Sequence, residues 1–422
     1  MTDERLERTD LPCGARVLSE RVPSVSSVSL GIWVDSGSRD EEVGDSGLSH
    51  FMEHMLFKGT SRMDARAIAE AFDHMGADIN AATGREHTSI YSRVISEHLE
   101  EAVDIASQMA RDPAIEEHEL ENERTVVLEE INMHNDSPDE LVHDFLATVL
   151  WPDHPVGRSV LGDAEIIRTV ERQRLSDFYC SRYVGSRVVV TAAGDVEHGR
   201  LCEMVERNLE GVEKGEAPER ADSMETPSAG VYLHRKDTEQ AHITMGGRGL
   251  PRQDPDRFAL SIMDNLLGGS MSSRLFQAIR EQKGLVYSIY SFSGLFIGMG
   301  MVGIYCGTKP SRAQEVIGLV EDEMVRVRDH GFTAEELDRA QNHLKGYLLI
   351  SNEDSGTRMN RIAKAELGGG EHLSVEEIVE KVEAVTLDDL EHVFDITWGA
   401  TPVSLAVVGP FDEGDLEPSG RI

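Results

Sequence analysis

Three side chains on one short segment could hold a metal ion and work on water beside it. Residues 47–57 read Gly-Leu-Ser-His-Phe-Met-Glu-His-Met-Leu-Phe, with no proline, no internal glycine and apolar residues at helical spacing. Residues four apart share a helix face, so His50 and His54 can hold one ion between them while Glu53 projects beside it. This is the inverted H-x-x-E-H arrangement of zinc-dependent hydrolysis, in which the carboxylate reaches the water and not the metal. The chain has 16 histidines and abundant glutamate, so such a pentamer can arise by chance, and a third ligand is needed.

A third ligand is available on residues 116–133, where Leu120, Val127 and Ile131 form the apolar stripe of a helix. Glu123 and Glu130, seven positions apart, lie about 20° from eclipsed on such a helix and share a face, whereas Glu129 points elsewhere. A helix this acidic also suits a merely solvated surface, and spacing alone leaves both readings open.

The ordered run His50-Phe-Met-Glu53-His54, then Glu123-Arg-Thr-Val-Val-Leu-Glu-Glu130, resembles the pitrilysin family of zinc metallopeptidases. The likeness is nearest to its half-length branch, which includes the mitochondrial processing peptidase β-subunit and its bacterial relatives. It continues through Asp136-Ser-Pro138, His154-Pro-Val-Gly157 and Ala193-Gly194-Asp195 in the first half. In the second half it runs through Gly268-Gly-Ser-Met-Ser-Ser-Arg-Leu-Phe276, Ile279-Arg280-Glu281 and Gly284-Leu-Val-Tyr287-Ser288. Cys13 departs from the family, which often has Asn before the following glycine.

The resemblance implies that His50, His54 and Glu130 bind Zn2+, that Glu53 activates the water, and that Glu123 supports the site. It further implies that Arg280 and Tyr287 reach the substrate carbonyl and the oxyanion; on sequence alone they are a helix charge and a strand-edge aromatic. Asn80, Ala81, Ala82 and Thr83 resemble the family's exposed edge strand, which pairs with an extended peptide substrate, although Ala-Ala-Thr before Gly84 also reads as a turn entry. A half-length chain would borrow Arg280 and Tyr287 from a second protomer, giving a clam-shaped homodimer with two sites. The alternatives are a heterodimer with a degenerate paralogue and a non-catalytic structural relative.

The elements that must carry these residues form two similar halves. Each opens with apolar strands, at 17–34 and 231–245, passes a loop bearing aspartate and glycine into an apolar-periodic helix, and then shows a strand pair and further helices. An internal duplication accounts for this plan. The expected fold class is α+β, with two duplicated domains, each a mainly antiparallel sheet with helices packed on one face. Residues 1–212 are expected to be the zinc-binding catalytic domain, 213–230 a linker, and 231–422 a duplicate supplying the Arg/Tyr pair. With the halves superposed by eye, His50, Glu53 and His54 fall opposite Ser261, Asp264 and Asn265, and Glu130 near Tyr347, so one Zn2+ per chain is expected.

Composition sets the outer limits. The chain has 422 residues, more than one ordinary core would use, and a net charge of -36 that repels nucleic acid and anionic membranes. That charge is spread along the whole chain and Arg outnumbers Lys, which favours a halophilic surface over a preference for basic substrates. The four cysteines are scattered, arguing against a disulfide framework or a thiolate metal site. The acidic, polar start lacks the pattern of a secretory signal, so a cytoplasmic location is expected. The apolar stretch 288–307 is broken by glycines and alternates like two strands around a turn, not like a membrane span.

Overall fold

The computed structural model describes residues 6–220, 230–399, 403–418 and 420, and contains two sheets. The first comprises β1 (Leu6–Asp10), β2 (Arg16–Arg21), β3 (Ser27–Val34), β4 (Asp78–Thr83), β5 (Thr88–Ile95) and β6 (Val188–Gly194), in the order β1-β2-β6-β3-β5-β4. The second comprises β7 (Val231–Arg235), β8 (Ala241–Arg248), β9 (Val286–Phe296), β10 (Met299–Thr308) and β11 (Ser404–Gly409), in the order β7-β11-β8-β10-β9. Apart from β1 the two orders are equivalent, down to one parallel pair in each sheet, β2 with β6 and β7 with β11. All other neighbours are antiparallel. The fold is therefore α+β and duplicated, as the sequence pattern indicates.

The helices that matter most for the site are α1 (Leu48–Leu56), α2 (Ala65–His74), α3 (Leu99–Arg111) and α4 (Glu117–Asp136). Together they bury apolar stripes against one face of the first sheet: Phe51, Met52 and Met55 of α1, Ile68 and Phe72 of α2, Val103 and Ala106 of α3, and Leu120, Val127 and Ile131 of α4 share one core with Val28, Leu30 and Ile32 of β3. The opposite face, through Trp33, Val189 and Ala193, packs on Met359, Ile362 and Ala363 of the helix Ser355–Leu367. That close approach is possible because position 31 is glycine: a Cβ there would stand 2.6 Å from Met359 Sδ. With both faces covered, seven of the eight residues of β3 are buried.

The second sheet repeats the scheme. Val302, Ile304 and Cys306 of β10 face its larger core, and Met299, Met301 and Tyr305 face Val142, Leu146 and Leu150 of α5 (Pro138–Leu150). The 288–307 stretch is the β9–β10 hairpin, turning at Ile297 and Gly298, and no helix among the described residues is long and apolar enough to cross a membrane.

Among the described residues the chain divides into two compact units: one made of those up to Asn132, Ser159–Glu219 and Ile350–His372, the other of those within Met133–Arg158, Arg220–Leu349 and from Leu373 on. This differs from the contiguous division at 213–230, because each half of the sequence lends one helix to the other half's sheet. An amphipathic pattern says that a helix buries a face; it does not say against which of two similar sheets. Of the expected linker 213–230, residues 221–229 lie outside the described residues.

Candidate metal centre

The helix α1 turns its apolar residues inward and leaves a polar strip of His50, Glu53 and His54. Opposite this strip, α4 presents Glu123 and Glu130, two turns apart on one face, as the seven-residue spacing requires. The three donors converge: one oxygen of Glu130, Oε2, stands 3.4 Å from His50 Nε2 and 3.3 Å from His54 Nε2. Among the described residues, His50, His54 and Glu130 form the group of three metal-ligating side chains whose donor atoms all lie within 4.8 Å of one another.

Several observations test whether a zinc ion suits this group. Donors bound tetrahedrally at the usual Zn–N and Zn–O lengths of about 2.0–2.1 Å stand about 3.3 Å apart, which matches the spacing from Glu130 to each imidazole. The imidazoles must also be neutral to bind. Burial, with a smaller push from His54, brings His50 down to about 4, so its lone pair is free at neutral pH. His54 is oriented from behind: its Nδ1 lies 3.0 Å from Glu123 Oε2, so Nδ1–H donates to the carboxylate and the Nε2 lone pair faces Glu130. By contrast, His50 Nδ1 is buried without a hydrogen-bond partner among the described residues. The residues fit a zinc ion.

Glu123 is 6% exposed, and its other oxygen, Oε1, lies 2.7 Å from Lys58 Nζ. A buried carboxylate of this kind requires such partners. It is thus held between a cation and the imidazole that it orients.

Glu53 is half-buried, and desolvation is the main influence raising its pKa above the ordinary carboxylate value. The Thr83 hydroxyl opposes the rise by donating to Glu53 Oε2 at 2.5 Å. Thr83 ends β4, which among the described strands pairs with β5 alone and so lies at the edge of the first sheet. Asn80, Ala81 and Ala82 lie on the same edge, with Asn80 Oδ1 accepting from the Ala81 N–H at 2.9 Å.

Arg280 and Tyr287 belong to the other unit. Arg280 sits in a π-helical turn, Phe276–Glu281, and its guanidinium lies 5.8 Å from the centroid of the Tyr287 ring, which is 80% exposed at the start of β9. The two residues are neighbours, with the phenol open to solvent.

Sequence reasoning missed Lys58 and the contact of Thr83 with Glu53. Lys58 lies two positions beyond the end of α1, where helical spacing no longer says which way a side chain goes. The Thr83 contact spans 30 positions and had no local signal.

A family described as Insulinase (Peptidase family M16) matches residues 16–164, and one described as Peptidase M16 inactive domain matches residues 169–344. An uncharacterized zinc protease of Streptomyces coelicolor is 39% identical over 415 residues, covering 97% of this chain and 90% of the relative. A Bacillus subtilis protein, also described as an uncharacterized zinc protease, is 37% identical, covering 89% of this chain and 91% of its own length. Among solved structures, a protease from Helicobacter pylori superposes with a TM-score of 0.89 at 20% identity, covering 96% of this chain and 100% of the other. A Pseudomonas fluorescens chain described as a peptidase M16 inactive domain gives 0.88 at 22%, covering 98% of this chain and 99% of the other. At such identities these two likenesses speak for the fold alone.

Proposed function

The chain belongs to the insulinase, or pitrilysin, peptidase family M16, and from that premise we propose that it is a zinc-dependent endopeptidase acting on peptides or unfolded segments. The observation that carries the reading is the convergence of His50 Nε2, His54 Nε2 and Glu130 Oε2 beside the half-buried carboxylate of Glu53. His50, His54 and Glu130 would hold one Zn2+ per chain, and zinc so held would supply the Lewis acidity that makes water a nucleophile near neutral pH.

The protein's own groups supply the remaining parts. Glu53 takes a proton from the attacking water and returns it to the leaving amine, a role suited to a carboxylate whose basicity is raised by burial. Thr83 keeps its Oε2 in place. Glu123 fixes the tautomer and ring orientation of His54. The open edge at Asn80, Ala81, Ala82 and Thr83 would pair with an extended substrate through its backbone, which gives affinity without demanding one sequence. Arg280 and Tyr287 would offer a cation and a phenolic O–H to charge developing on the substrate oxygen.

We place that pair in trans: a second copy of the chain would supply Arg280 and Tyr287, making the working enzyme a clam-like homodimer with two sites. What supports this is the resemblance to full-length relatives, together with the 80% exposure of Tyr287.

The central test is digestion of a peptide library by zinc-loaded protein beside Glu53→Gln. Loss of about 1,000-fold or more in kcat is expected for the variant, and equal cleavage by both would refute the assignment. Assembly is tested by native mass and by mixing Glu53→Gln with Tyr287→Phe chains. Hybrid dimers should regain one intact site, and a mixture no more active than either parent would remove the trans arrangement.

A further inference from the structure

The helix that carries both histidines starts without a capping side chain of its own. Gly47, at its N-cap, has φ of 100°, in the left-handed region. A Cβ there would meet Leu161 O at 2.9 Å and Gly162 Cα at 3.0 Å, while one on Gly162 would stand 2.2 Å from Gly47 Cα. Two backbones are packed against each other, and neither position has room for a side chain. A helix start nevertheless leaves several N–H groups without partners inside the helix, and a Ser, Thr, Asp or Asn at the N-cap usually receives one.

Here the acceptor comes from six residues upstream. Glu41 Oε2 accepts from the Gly47 N–H at 2.9 Å, and Glu41 Oε1 accepts from the Ser49 N–H at 2.7 Å. The side chain is buried, 4% exposed, and its negative charge sits where the helix dipole favours it. The loop that delivers it also grips the hairpin between β4 and β5. The Ser38 N–H donates to Gly84 O at 3.2 Å and the Arg39 N–H to Arg85 O at 2.7 Å, and Arg39 Nη1 pairs with Glu86 Oε1 at 2.7 Å in a buried ion pair. One short loop thus holds the first turn of α1 at one end and the hairpin bearing Thr83 at the other.

We infer that Glu41 is a positioning residue for the metal centre. It locks the first turn of α1, where His50 is the third helical residue, and through its loop it sets α1 in register with the hairpin whose Thr83 holds Glu53. A nine-residue helix has little stability of its own, so without the cap its first turn frays and His50 is the first of the three donors to move. Any effect on hydrolysis rests on the peptidase reading; the effects on helix order and zinc affinity do not.

The test uses the full chain as Glu41→Ala and Glu41→Gln, with Glu42→Gln as control because Glu42 is exposed and caps nothing in α1. Hydrogen exchange is measured on zinc-free protein, zinc affinity by chelator competition, and kcat and KM on the reloaded enzyme. Glu41→Ala should speed exchange across residues 47–50 by about tenfold or more while the rest of its unit is unchanged. It should weaken zinc binding by about 10- to 100-fold, and lower kcat with KM held within about twofold. Glu41→Gln, which keeps one acceptor oxygen, should fall between. The inference is overturned if zinc affinity and exchange at 47–50 match the Glu42→Gln control. It is also overturned if exchange rises evenly through the unit, since Glu41 would then be a general stabiliser. A wild-type protein that binds zinc yet cleaves no peptide would sink the peptidase reading, and the exchange and affinity measurements would still decide Glu41.

Discussion

Replacing Glu123 by Gln tests how far the support behind His54 governs zinc binding. The carboxylate is 6% exposed and accepts two charge-assisted bonds, from His54 Nδ1–H at 3.0 Å and Lys58 Nζ at 2.7 Å. Gln keeps the shape but has one oxygen, so its NH2 must face either the imidazole N–H or the ammonium, donor against donor. A hydrogen bond to a charged group contributes about 1.5–3 kcal/mol, and mutation of such supporting partners lowers metal affinity about 10- to 100-fold, which is about 1.4–2.8 kcal/mol. Competition with a chromophoric chelator should therefore show Glu123→Gln binding zinc about 10- to 100-fold more weakly. A second arm sharpens the test. In Glu123→Gln/Lys58→Met the competing donor is gone, the Gln oxygen can turn to His54, and zinc affinity should recover in part relative to the single variant. An unchanged zinc affinity in Glu123→Gln, or a double variant weaker than the single one, would refute the account of Glu123 as an acceptor shared between Lys58 and His54.

Three further outcomes are expected. Glu366 is 6% exposed; burial pushes its pKa up, but hydrogen bonds from His372 and Arg8 and the charges of Arg8 and Arg16 bring it down to about 2. Because the folded value lies below the unfolded one, this carboxylate stabilises the fold above about pH 4.5, by an amount on the order of 3 kcal/mol, and the contribution is lost as pH falls toward about 2. Urea unfolding of zinc-free protein should show the gap between wild type and Glu366→Gln closing over that window; a gap independent of pH would contradict the assignment. Gly162→Ala places a Cβ 2.2 Å from Gly47 Cα at a φ of +81°, so it should lower the melting temperature by an amount equivalent to roughly 1–3 kcal/mol and weaken zinc binding, whereas an unperturbed melting curve would show that the two loops can separate freely. Finally, a chain of net charge -36 repels itself until salt screens it, and screening shortens from about 10 Å at 0.1 M to about 3 Å at 1 M. Thermal unfolding in KCl should therefore shift upward by about 10 °C or more between those concentrations, and a flat profile would count against a surface adapted to high salt.

The sequence by itself determined those features whose physics is local. An uninterrupted apolar period marked the helix within residues 47–57, Leu48–Leu56 in the structure, and four-residue spacing then put His50 and His54 on one face with Glu53 beside them. The seven-residue step placed Glu123 and Glu130 on one face of α4, although only resemblance to a family chose ligand over solvated surface. The repeated order of strands and helices revealed the duplication, and glycine-broken alternation marked 288–307 as a hairpin. Tertiary structure alone decided the rest, because those contacts join segments far apart in sequence. It put β4 at a sheet edge and brought Thr83 to Glu53 across 30 positions. It set Glu123 between His54 and Lys58, and supplied Glu41 to a helix whose own N-cap has to be glycine. It also sent Pro138–Leu150 and Ser355–Leu367 to the sheet of the opposite half, a choice that helical periodicity leaves open because two sheets of equivalent strand order can each receive an amphipathic helix.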